Sequence, residues 1–382
     1  MIRVLHVIGS SKFGGATGVV FSLVDMARQH GLEAEVLTDD PTTLKACKER
    51  GVKVLDFSGI VRPIRPHKDL RAVWRLSRLL RGRYEVVHTH TTKGGAIGRL
   101  AARWARVPAV VHSVHGFAFH EFSSRLVLAM GAMAERCLAR CCDRLVFVNR
   151  HDRQWALRLG IGSEAKSVTI YNGLPEARLT SGRAVARQDL LAELGIEGDC
   201  RLCVFVGRLA AQKGLGYLIE AMGRLRAVSP PVHLALVGDG ELEARCREQV
   251  RQRGLEDRVH FLGFRRDATR WTGGADLFVL SSLWEGHSIT LLEAMGLGRP
   301  IVATDIKGNR ESITHEVDGL LVLPADAEAL AGGILRLTTN RPLADRLGRA
   351  AVQTFQRRFT ELIMKENAWQ LYHGLLVEKG LL

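Results

Sequence analysis

Three observations predict an α/β fold of two doubly wound, Rossmann-like parallel-sheet domains that face each other across a cleft. The 382 residues are too many for one ordinary core and suit two domains of about 150 to 200 residues each. Strand-like runs alternate with helical patterns in two successive series. Runs such as RVLHVI near the N-terminus lack clean alternation, which is typical of parallel strands buried on both faces.

The first series lies in residues 1–173, which we expect to form the N-terminal domain. Helical patterns separate the strands; one covers 69–80, with an apolar stripe that includes Leu70 and Trp74 beside a basic stripe that includes Arg71 and Arg75. The predicted strands cover residues 2–8, 33–38, 52–57, 85–90, 109–115, 144–149 and 168–171.

The pattern breaks after Asn172-Gly173, and a second series begins near residue 201. Residues 174–200 hold one proline and three glycines, so we expect a linker with one short helix. Residues 201–358 then form the second domain, and the helical segment 359–382 is expected to pack back on the first domain. The predicted strands of the second domain cover residues 202–206, 233–237, 258–262, 276–281, 300–304 and 319–323.

The net charge of +14 is concentrated in the first half of the chain. Residues 1–180 contain 28 Lys and Arg against 15 Asp and Glu, and residues 62–106 contain twelve against two. Such asymmetry favours a negatively charged partner, namely nucleic acid, a phosphorylated ligand or an anionic membrane. The alternative is an arginine-rich composition with solvated helix faces. The apolar fraction of 46% excludes a disordered or fibrous chain.

Cysteine usage and hydropathy predict a cytoplasmic location. The seven cysteines have no repeated spacing, which indicates reduced thiols. The C-x-x-C at Cys200 and Cys203 leads into an apolar strand and is interpreted as structural. The N-terminus resembles a strand and a glycine loop more than a signal peptide, and no run approaches the ~20 apolar residues of a spanning helix.

Glycines and cations follow several predicted strands, where anionic ligands bind in such folds. Gly14 and Gly15 precede the first helix, and Gly238 makes a turn after a second-domain strand. Arg208 and Lys213 flank the loop VGRLAAQKG, where two cations near a helix N-terminus suit a diphosphate. A tight turn and a pair of surface cations are the alternatives.

Two glutamates and a histidine complete the candidate set. Glu285 lies in the strand-to-helix turn SSLWEGHSITLLEAMG, and Glu293 follows eight residues later among apolar residues. We expect both on one side of the helix that begins at 287–290, where a carboxylate can accept from vicinal ribose hydroxyls. His115 ends a first-domain strand in VVHSVHGF and can donate or accept a hydrogen bond, although a structural role is common for such a residue.

These motifs together resemble the retaining glycosyltransferases of family 4, which have the two-domain GT-B architecture. The resemblance rests on the GG near the first strand, HG after a strand, GRL-x-x-x-KG, GDG, and E-x7-E in the segment that contains LEAM, and it covers nearly the full chain. The stretch VHTHTTKGGAIGRLAARWARVPAVVHSVHGFAFH further resembles the branch that builds capsular, exopolysaccharide or O-antigen units on a lipid carrier.

The resemblance implies that the domain of residues 1–173 takes the acceptor and that the domain of residues 201–358 binds the nucleotide sugar. It also implies a role for each candidate. Arg208 and Lys213 hold the donor diphosphate, Gly15 lets the first-domain loop approach it, and Glu293 binds the ribose. Glu285 faces the donor sugar, and His115 contacts a sugar hydroxyl and helps the leaving phosphate. The implied catalytic residues are His115, Glu285, Arg208 and Lys213, and the implied donor-binding residues are Gly14, Gly15, Arg208, Lys213, Gly238, Phe264 near the base, Gly286, His287, Ser288 and Glu293. His287-Ser288 stand where many members carry an aromatic residue and Gly or Pro, which leaves the donor sugar open.

The function expected from the resemblance is transfer of a hexosyl or N-acetylhexosaminyl group, with retention, from a nucleotide-diphosphate sugar to a glycan acceptor. The expected donor is a UDP-sugar, with guanosine and adenosine donors as alternatives, and the expected acceptor is linked to polyprenyl diphosphate. With no convincing D-x-D motif, we predict neither a metal nor another cofactor. We expect a peripheral location on the inner face of the bacterial plasma membrane, where the basic run 62–106 and the amphipathic segment 122–142 meet anionic lipid.

Other interpretations differ in testable ways. A nucleotide-sugar 2-epimerase of the same fold would act on the donor alone, and a non-enzymatic nucleotide-sugar-binding protein would bind it without reaction. A nucleic-acid-binding protein is disfavoured, because no basic stripe with interleaved aromatic residues, zinc-ligand spacing or helix-turn-helix pattern is present.

Overall fold

The computed structural model describes residues 1–9, 15–60, 65–119 and 123–382. Gly14, the start of the basic run 62–106 and the first residue of the segment 122–142 therefore lie outside the described residues. The chain divides into two compact units, Met1–Asn172 with Leu362–Leu382, and Gly173–Glu361. We call them the N-unit and the C-unit.

A seven-stranded, all-parallel sheet with the order β3-β2-β1-β4-β5-β6-β7 is the centre of the N-unit in its described part. Helices follow most of its strands, as the sequence pattern predicts. In chain order the elements are β1 (Arg3–Ile8), α1 (Gly15–Gln29), β2 (Glu33–Leu37), α2 (Pro41–Glu49), β3 (Lys53–Val54), α3 (Pro66–Leu80), β4 (Val86–His90), α4 (Thr92–Ala105), β5 (Ala109–Val114), α5 (Arg125–Ala139), β6 (Arg144–Phe147), α6 (Arg150–Arg158) and β7 (Ser167–Thr169).

The C-unit is built around a six-stranded, all-parallel sheet with the order β10-β9-β8-β11-β12-β13. Its elements, and the helix that ends the chain, are α7 (Ala177–Arg183), α8 (Arg187–Glu193), β8 (Arg201–Val206), α9 (Leu215–Arg224), β9 (Val232–Val237), α10 (Glu243–Gln252), β10 (Val259–Gly263), α11 (Ala268–Gly274), β11 (Leu277–Leu280), α12 (Ile289–Gly296), β12 (Ile301–Thr304), α13 (Lys307–Arg310), β13 (Leu320–Val322), α14 (Ala327–Thr339), α15 (Arg341–Arg358) and α16 (Glu361–Glu378). The two parallel sheets confirm the predicted fold class.

Residues 174–200 differ from the expected linker with one short helix. They contain two helices, α7 and α8, and both belong to the C-unit. Leu179 and Leu190 are fully buried, and a Cβ at Gly182 would lie 2.4 Å from the carbonyl oxygen of Thr269. This close approach packs α7 on α11, so the segment is part of the domain rather than a connection to it.

The last helix belongs to the N-unit from Leu362 onward. Met364 and Tyr372 are buried in the same apolar cluster as Val4 of β1 and Val86 of β4. The phenol oxygen of Tyr372 also lies 2.7 Å from Nδ1 of His88 in β4. A helix distant in sequence therefore covers one face of the first sheet.

The apolar stripe predicted in residues 69–80 divides between core and surface. Val73, Leu76 and Leu80 are buried, whereas Leu70 is 59% and Trp74 51% exposed. The stripe is wider than the contact of α3 with the sheet, so its outer edge faces solvent. Among the described residues, no helix is both long enough and apolar enough to cross a membrane.

Each sheet reverses its strand order at one place, between β1 and β4 in the N-unit and between β8 and β11 in the C-unit. At such a switch point the loops leave the two strands in opposite directions and open a crevice at their carboxyl ends. Three of the predicted site residues follow the switch-point strands of the C-unit, with Arg208 and Lys213 after β8 and Glu285 after β11.

Candidate functional site

Hydrogen bonds connect the loops after β8 and β11 at the switch point of the C-unit. The backbone N–H of Leu283 donates to the carbonyl oxygen of Gln212 at 2.7 Å, and the Ser281 hydroxyl donates to the carbonyl oxygen of Lys213 at 2.8 Å. Lys213 ends a short 3₁₀ turn, and Gly214 follows with φ +60°. This bend starts α9 and places the lysine side chain beside the second loop.

Glu285 is the acceptor at the centre of this site. Lys213 Nζ donates to Glu285 Oε1 in an ion pair whose side chains are only 14% and 8% exposed. The Ser282 hydroxyl donates to Oε1 at 2.7 Å, and the Gln212 amide donates to Oε2 at 3.2 Å. Three donors hold the carboxylate in one orientation, so the structure brings together two predicted residues, Lys213 and Glu285.

Two glycines allow neighbouring loops to approach this pair closely. Gly238 has φ +138°, and a Cβ there would lie 2.0 Å from the carbonyl oxygen of Gly207. A Cβ at Gly308 would lie 2.3 Å from the carbonyl oxygen of Glu285. Both distances are shorter than any van der Waals contact, so a side chain at either position would displace the loop that it faces.

Arg208 is not brought to the Lys213–Glu285 pair. Its guanidinium forms an ion pair with Glu241 at 2.9 Å, and both side chains are more than half exposed. An exposed pair contributes only about 0 to 1 kcal/mol, so its free energy is small compared with that of a charge-assisted bond to a diphosphate. Arg208 is a cation that a ligand can recruit at little cost.

The segment 286–288 leads into α12. The ring of His287 is buried and lies 5.2 Å from the ring of Phe359, and burial lowers its pKa to about 3. The Ser288 hydroxyl pairs with the Thr290 hydroxyl at 3.2 Å and does not cap the helix. The resemblance implies backbone and side-chain contacts from residues 286–288, and burial of the His287 ring favours a backbone contact for this residue.

Glu293 lies one turn inside α12, and its side chain is 2% exposed. Nε of Arg178 donates to Glu293 Oε1 at 2.6 Å. Burial raises the pKa of Glu293, and Arg178 opposes the rise. The two glutamates of the E-x7-E motif therefore have separate cationic partners, Lys213 for the first and Arg178 for the second.

We expect Glu293→Gln to raise stability at high pH, which follows from the raised pKa of Glu293, and to lower ligand affinity. Because the folded-state pKa lies above the ordinary value of 4.5, the stability linked to this group is complete below that value and is lost as the pH rises through the folded pKa. We expect Glu293→Gln to raise Tm relative to the parent at pH 8 but not at pH 4. UDP affinity should fall about 10-fold or more, as for the loss of a charge-assisted bond.

Differential scanning fluorimetry at both pH values and titration calorimetry with UDP measure the two effects of Glu293→Gln. The exposed Glu256→Gln, between α10 and β10, is the matched control, and neither its Tm nor its UDP affinity should change appreciably. A lower Tm for Glu293→Gln at both pH values would contradict the inference that burying this charge is costly.

Phe264 directly follows β10, and 67% of its surface is exposed. The preceding Gly263 has φ +64°, and its carbonyl oxygen accepts from the N–H of Gly238 at 2.8 Å. This contact brings the strand ends of β9 and β10 together. An exposed aromatic ring at such an edge can stack on a nucleobase, and the position of Phe264 near the base stays a prediction.

His115 belongs to the N-unit and follows β5. Its Nε2 atom lies 3.2 Å from Nδ1 of His90, the last residue of β4. Burial lowers the pKa of His115 to about 4, so the ring is neutral at pH 7. Gly15, the other described candidate of this unit, is the first residue of α1.

The ring nitrogens of His6, His88 and His90 lie within 4.8 Å of one another and could in principle hold a metal ion. Both nitrogens of His88 are engaged, by Tyr372 at 2.7 Å and by Ser113 at 2.8 Å. Both nitrogens of His90 face other histidines. Metal binding would have to break these contacts, which favours hydrogen bonding between the rings. That no metal is required stays a prediction.

Several residues of the site were not predicted from the sequence. Gln212 is next to Lys213 in the loop AAQKG, and Ser282 lies in the same turn as Glu285, so their proximity was a usable signal. His88 and His90 are two residues apart in the strand VVHTH, which places both on one face. Arg178 gave no signal, because it lies in the segment expected to be a linker.

Two family models match the chain and together cover most of it. The model described as "Glycosyl transferase 4-like domain" matches residues 14–173. The model described as "Glycosyl transferases group 1" matches residues 186–354. The first match covers every strand of the N-unit sheet except β1. The second covers the sheet of the C-unit with Lys213, Glu285 and Glu293.

Two curated proteins are similar over most of their length. The Escherichia coli protein named UDP-Gal:alpha-D-GlcNAc-diphosphoundecaprenol alpha-1,3-galactosyltransferase is 29% identical over 347 residues, which are 90% of this chain and 89% of that protein. The putative glycosyltransferase EpsD of Bacillus subtilis is 30% identical over 297 residues, 77% of each chain.

Among solved structures, the Anabaena protein Alr3699/HepE in complex with UDP and glucose superposes with a TM-score of 0.84. The alignment covers 98% of this chain and all of that chain, at 22% identity. The lipopolysaccharide outer core galactosyltransferase WaaB in its apo form gives a TM-score of 0.71 at 20% identity, with 98% of this chain covered and all of that one. At such identities the likeness shows a shared fold.

Proposed function

Because the chain belongs to the glycosyltransferases with a 4-like N-terminal domain and a group 1 C-terminal domain, we propose that it transfers a hexosyl or N-acetylhexosaminyl group from a UDP-sugar to a polyprenyl-diphosphate-linked glycan. The observation that carries the proposal is the Lys213–Glu285 pair at the switch point of the C-unit. The named donor and acceptor of the Escherichia coli relative support the substrate classes.

In the proposed reaction, the bond between the anomeric carbon and the diphosphate oxygen breaks, and its electron pair stays on the oxygen. The acceptor hydroxyl forms the new bond to that carbon from the same face, and its proton passes to the leaving diphosphate. Lys213, Arg208 and the N-terminal end of α12 stabilise the growing negative charge. These groups supply the positive charge of the site, so the proposed reaction requires no metal.

The carboxylates have different proposed tasks. Glu285, held by Lys213, Gln212 and Ser282, has a fixed orientation and accepts from hydroxyls of the donor sugar. Glu293 accepts from the ribose hydroxyls, a pairing typical of acidic side chains in nucleotide sites. The role of His115, a contact with a sugar hydroxyl and the leaving phosphate, comes from the resemblance.

The experiment that tests this proposal is a transfer assay with separated substrates. The protein is incubated with UDP-galactose, UDP-glucose or UDP-N-acetylglucosamine and a lipid-diphosphate-linked N-acetylglucosamine acceptor, with or without EDTA. We expect one donor to give a glycosylated lipid by mass spectrometry, with an α-anomeric proton signal by NMR and no loss of rate in EDTA. A new sugar nucleotide formed from the donor alone would indicate an epimerase, and binding without reaction would indicate a scaffold.

A lipid-linked acceptor lies in a membrane, and three helices of the N-unit provide a surface that is suited to membrane binding. Helices α3, α4 and α5 pack on the same apolar core. Their outer faces expose large apolar side chains, including Trp74 on α3 and Trp104 on α4 at 51% and 46%. On α5, Leu126, Met130 and Met133 are 70%, 59% and 61% exposed. We propose that this surface lies on the anionic inner leaflet of the plasma membrane.

Charge on α3 is expected to control this membrane binding. Arg71, Arg75 and Arg78 are exposed, and each basic residue near an anionic surface contributes about 1 kcal/mol. Replacing all three with glutamine should lower the liposome partition coefficient by about 10²-fold, measured by co-sedimentation with vesicles containing phosphatidylglycerol. Binding of the parent protein should also weaken with added salt.

The matched control for the α3 variant replaces three exposed arginines of α10, Arg245, Arg247 and Arg251, with glutamine. It removes the same charge from the C-unit and should keep most of the membrane binding. Equal losses in the two triple variants would mean that net charge, rather than the α3 surface, determines the interaction.

A further inference from the structure

Three histidine rings form a continuous line that ends at the carboxyl edge of the first sheet. Nδ1 of His6 lies 3.2 Å from Nε2 of His90, and Nδ1 of His90 lies 3.2 Å from Nε2 of His115. The residues belong to β1, to β4 and to the turn after β5, three neighbouring strands. The line therefore connects a ring in the interior with the histidine expected to meet the substrate.

Only two arrangements of the ring protons give both contacts a donor and an acceptor. A neutral imidazole has one N–H donor and one bare acceptor nitrogen, so each contact needs a donor on one side and an acceptor on the other. If His6 donates from Nδ1, then His90 and His115 must also carry their protons on Nδ1. In the opposite arrangement, all three rings carry their protons on Nε2. The tautomer of His6 therefore determines the tautomer of His115.

The surroundings of His6 favour one of the two tautomer arrangements. Its Nε2 atom is buried and has no hydrogen-bond partner among the described residues. A cavity of about 20 Å³ is lined by His88, Ser113 and His115 but not by His6. With the proton on Nε2, His6 would bury an unsatisfied N–H donor, which is rarer in proteins than an under-satisfied acceptor. The arrangement with all protons on Nδ1 is therefore favoured.

We propose that His6 and His90 are positioning residues that hold His115 as the Nδ1–H tautomer, so that His115 presents a hydrogen-bond donor to its ligand. The ligand itself, an oxygen of the donor substrate, rests on the proposed function. A donor suits the phosphate oxygens of that substrate, which only accept. His115 as the Nε2–H tautomer would instead present a bare nitrogen and repel them.

The surrounding groups are consistent with uncharged histidine rings in this line. Burial lowers the pKa of His6 to about 3, and it lowers the pKa of His90 well below its ordinary value. His88 stacks beside His90 with ring centres 4.3 Å apart. Its own nitrogens face Tyr372 and Ser113, so it does not compete for the contacts of the line.

Nitrogen NMR of the whole protein with ¹⁵N-labelled histidine tests the proposal without any activity measurement. Long-range ¹H–¹⁵N correlations show which ring nitrogen carries the proton, and single histidine variants assign the signals. We expect His6, His90 and His115 to carry the proton on Nδ1 at pH 7.5, although free imidazole side chains favour Nε2. A proton on Nε2 of His115 in the parent protein would overturn the proposal.

Two variants of His90 separate positioning from packing. His90→Phe removes both contacts, so His115 should return to the Nε2–H form and kcat should fall about 10-fold, as for one lost charge-assisted bond. His90→Asn keeps an N–H near the position of Nδ1 and should retain the Nδ1–H form and most of kcat. An unchanged His115 tautomer in His90→Phe would overturn the proposal.

The second histidine pair of the chain is the control. His233 Nδ1 lies 3.1 Å from His260 Nε2 in the C-unit, and His233→Asn should leave His115 unchanged. Spectra recorded with EDTA and with Zn²⁺ test the metal alternative, and signals of His6, His88 and His90 that change on chelation would overturn the proposal. If His115 carries its proton on Nδ1 but the protein transfers no sugar, the tautomer proposal is supported and the proposed glycosyltransferase function is refuted.

Discussion

Acidification from pH 7.5 to about 5 is expected to unfold the N-unit. Burial is the main cause that lowers the pKa values of five of its histidines, to about 3 for His6, to about 4 for His115, and well below 6.5 for the other three, His88, His90 and His112. The folded unit keeps them neutral, whereas the unfolded chain protonates them near pH 6.5. Their stabilisation is therefore present above pH 6.5 and is lost as the pH falls toward the folded values.

The expected size of this loss is a large fraction of a domain's stability. Each such histidine lowers the free energy of unfolding by about 1.4 kcal/mol for each pH unit below 6.5. Five of them cost roughly 7 kcal/mol within one unit, which compares with a total of about 5–15 kcal/mol for a typical domain. Neighbouring positive charge adds to the effect, since Arg99 also lowers the pKa of His112.

Hydrogen exchange measured by mass spectrometry between pH 7.5 and 4.5 follows the two units separately. The C-unit has three described histidines with lowered pKa values, His233, His260 and His287, so it should open at lower pH than the N-unit. In urea unfolding, His112→Asn should make the dependence of stability on pH shallower, whereas the exposed His67→Asn should not. An N-unit that stays protected at pH 4.5 would refute this account.

Replacing Lys213 with alanine is expected to lower kcat/KM for sugar transfer by about 10²- to 10³-fold, the usual cost of removing one preorganised donor from developing negative charge. The variant removes a cation from the proposed diphosphate site. It also leaves the carboxylate of Glu285, which is 8% exposed, with Ser282 and Gln212 as its donors among the described residues. Glu285 then loses both its charge partner and its fixed orientation.

A double-mutant cycle separates these two effects. The losses in Lys213→Ala and Glu285→Gln should not add in the double variant, because each residue positions the other. Arg208→Ala should also lower kcat/KM. Glu241→Gln removes only the exposed partner of Arg208 and should leave activity within about 2-fold, as for other exposed ion pairs. Additive losses at Lys213 and Glu285 would show that the ion pair has no part in the reaction.

Local patterns were sufficient to predict the strands and several site residues. The runs around β1, β8 and β11 are mostly apolar because both faces of a parallel sheet are covered, and this constraint is visible in one sequence. The motifs GRL-x-x-x-KG and E-x7-E placed Lys213 and Glu285 in the correct loops. The short edge strand β3, with two residues, shows the limit, since the expected strand covered 52–57.

The sequence by itself therefore determined the fold class, the positions of the loops and the chemical types available in them. Only the tertiary structure decided which side chains meet. Lys213 pairs with Glu285, 72 residues away, rather than converging with Arg208, and Arg178 reaches Glu293 across 115 residues. The order of strands in a sheet decides which loops become neighbours, and strand order depends on packing of the whole domain, which no local pattern records.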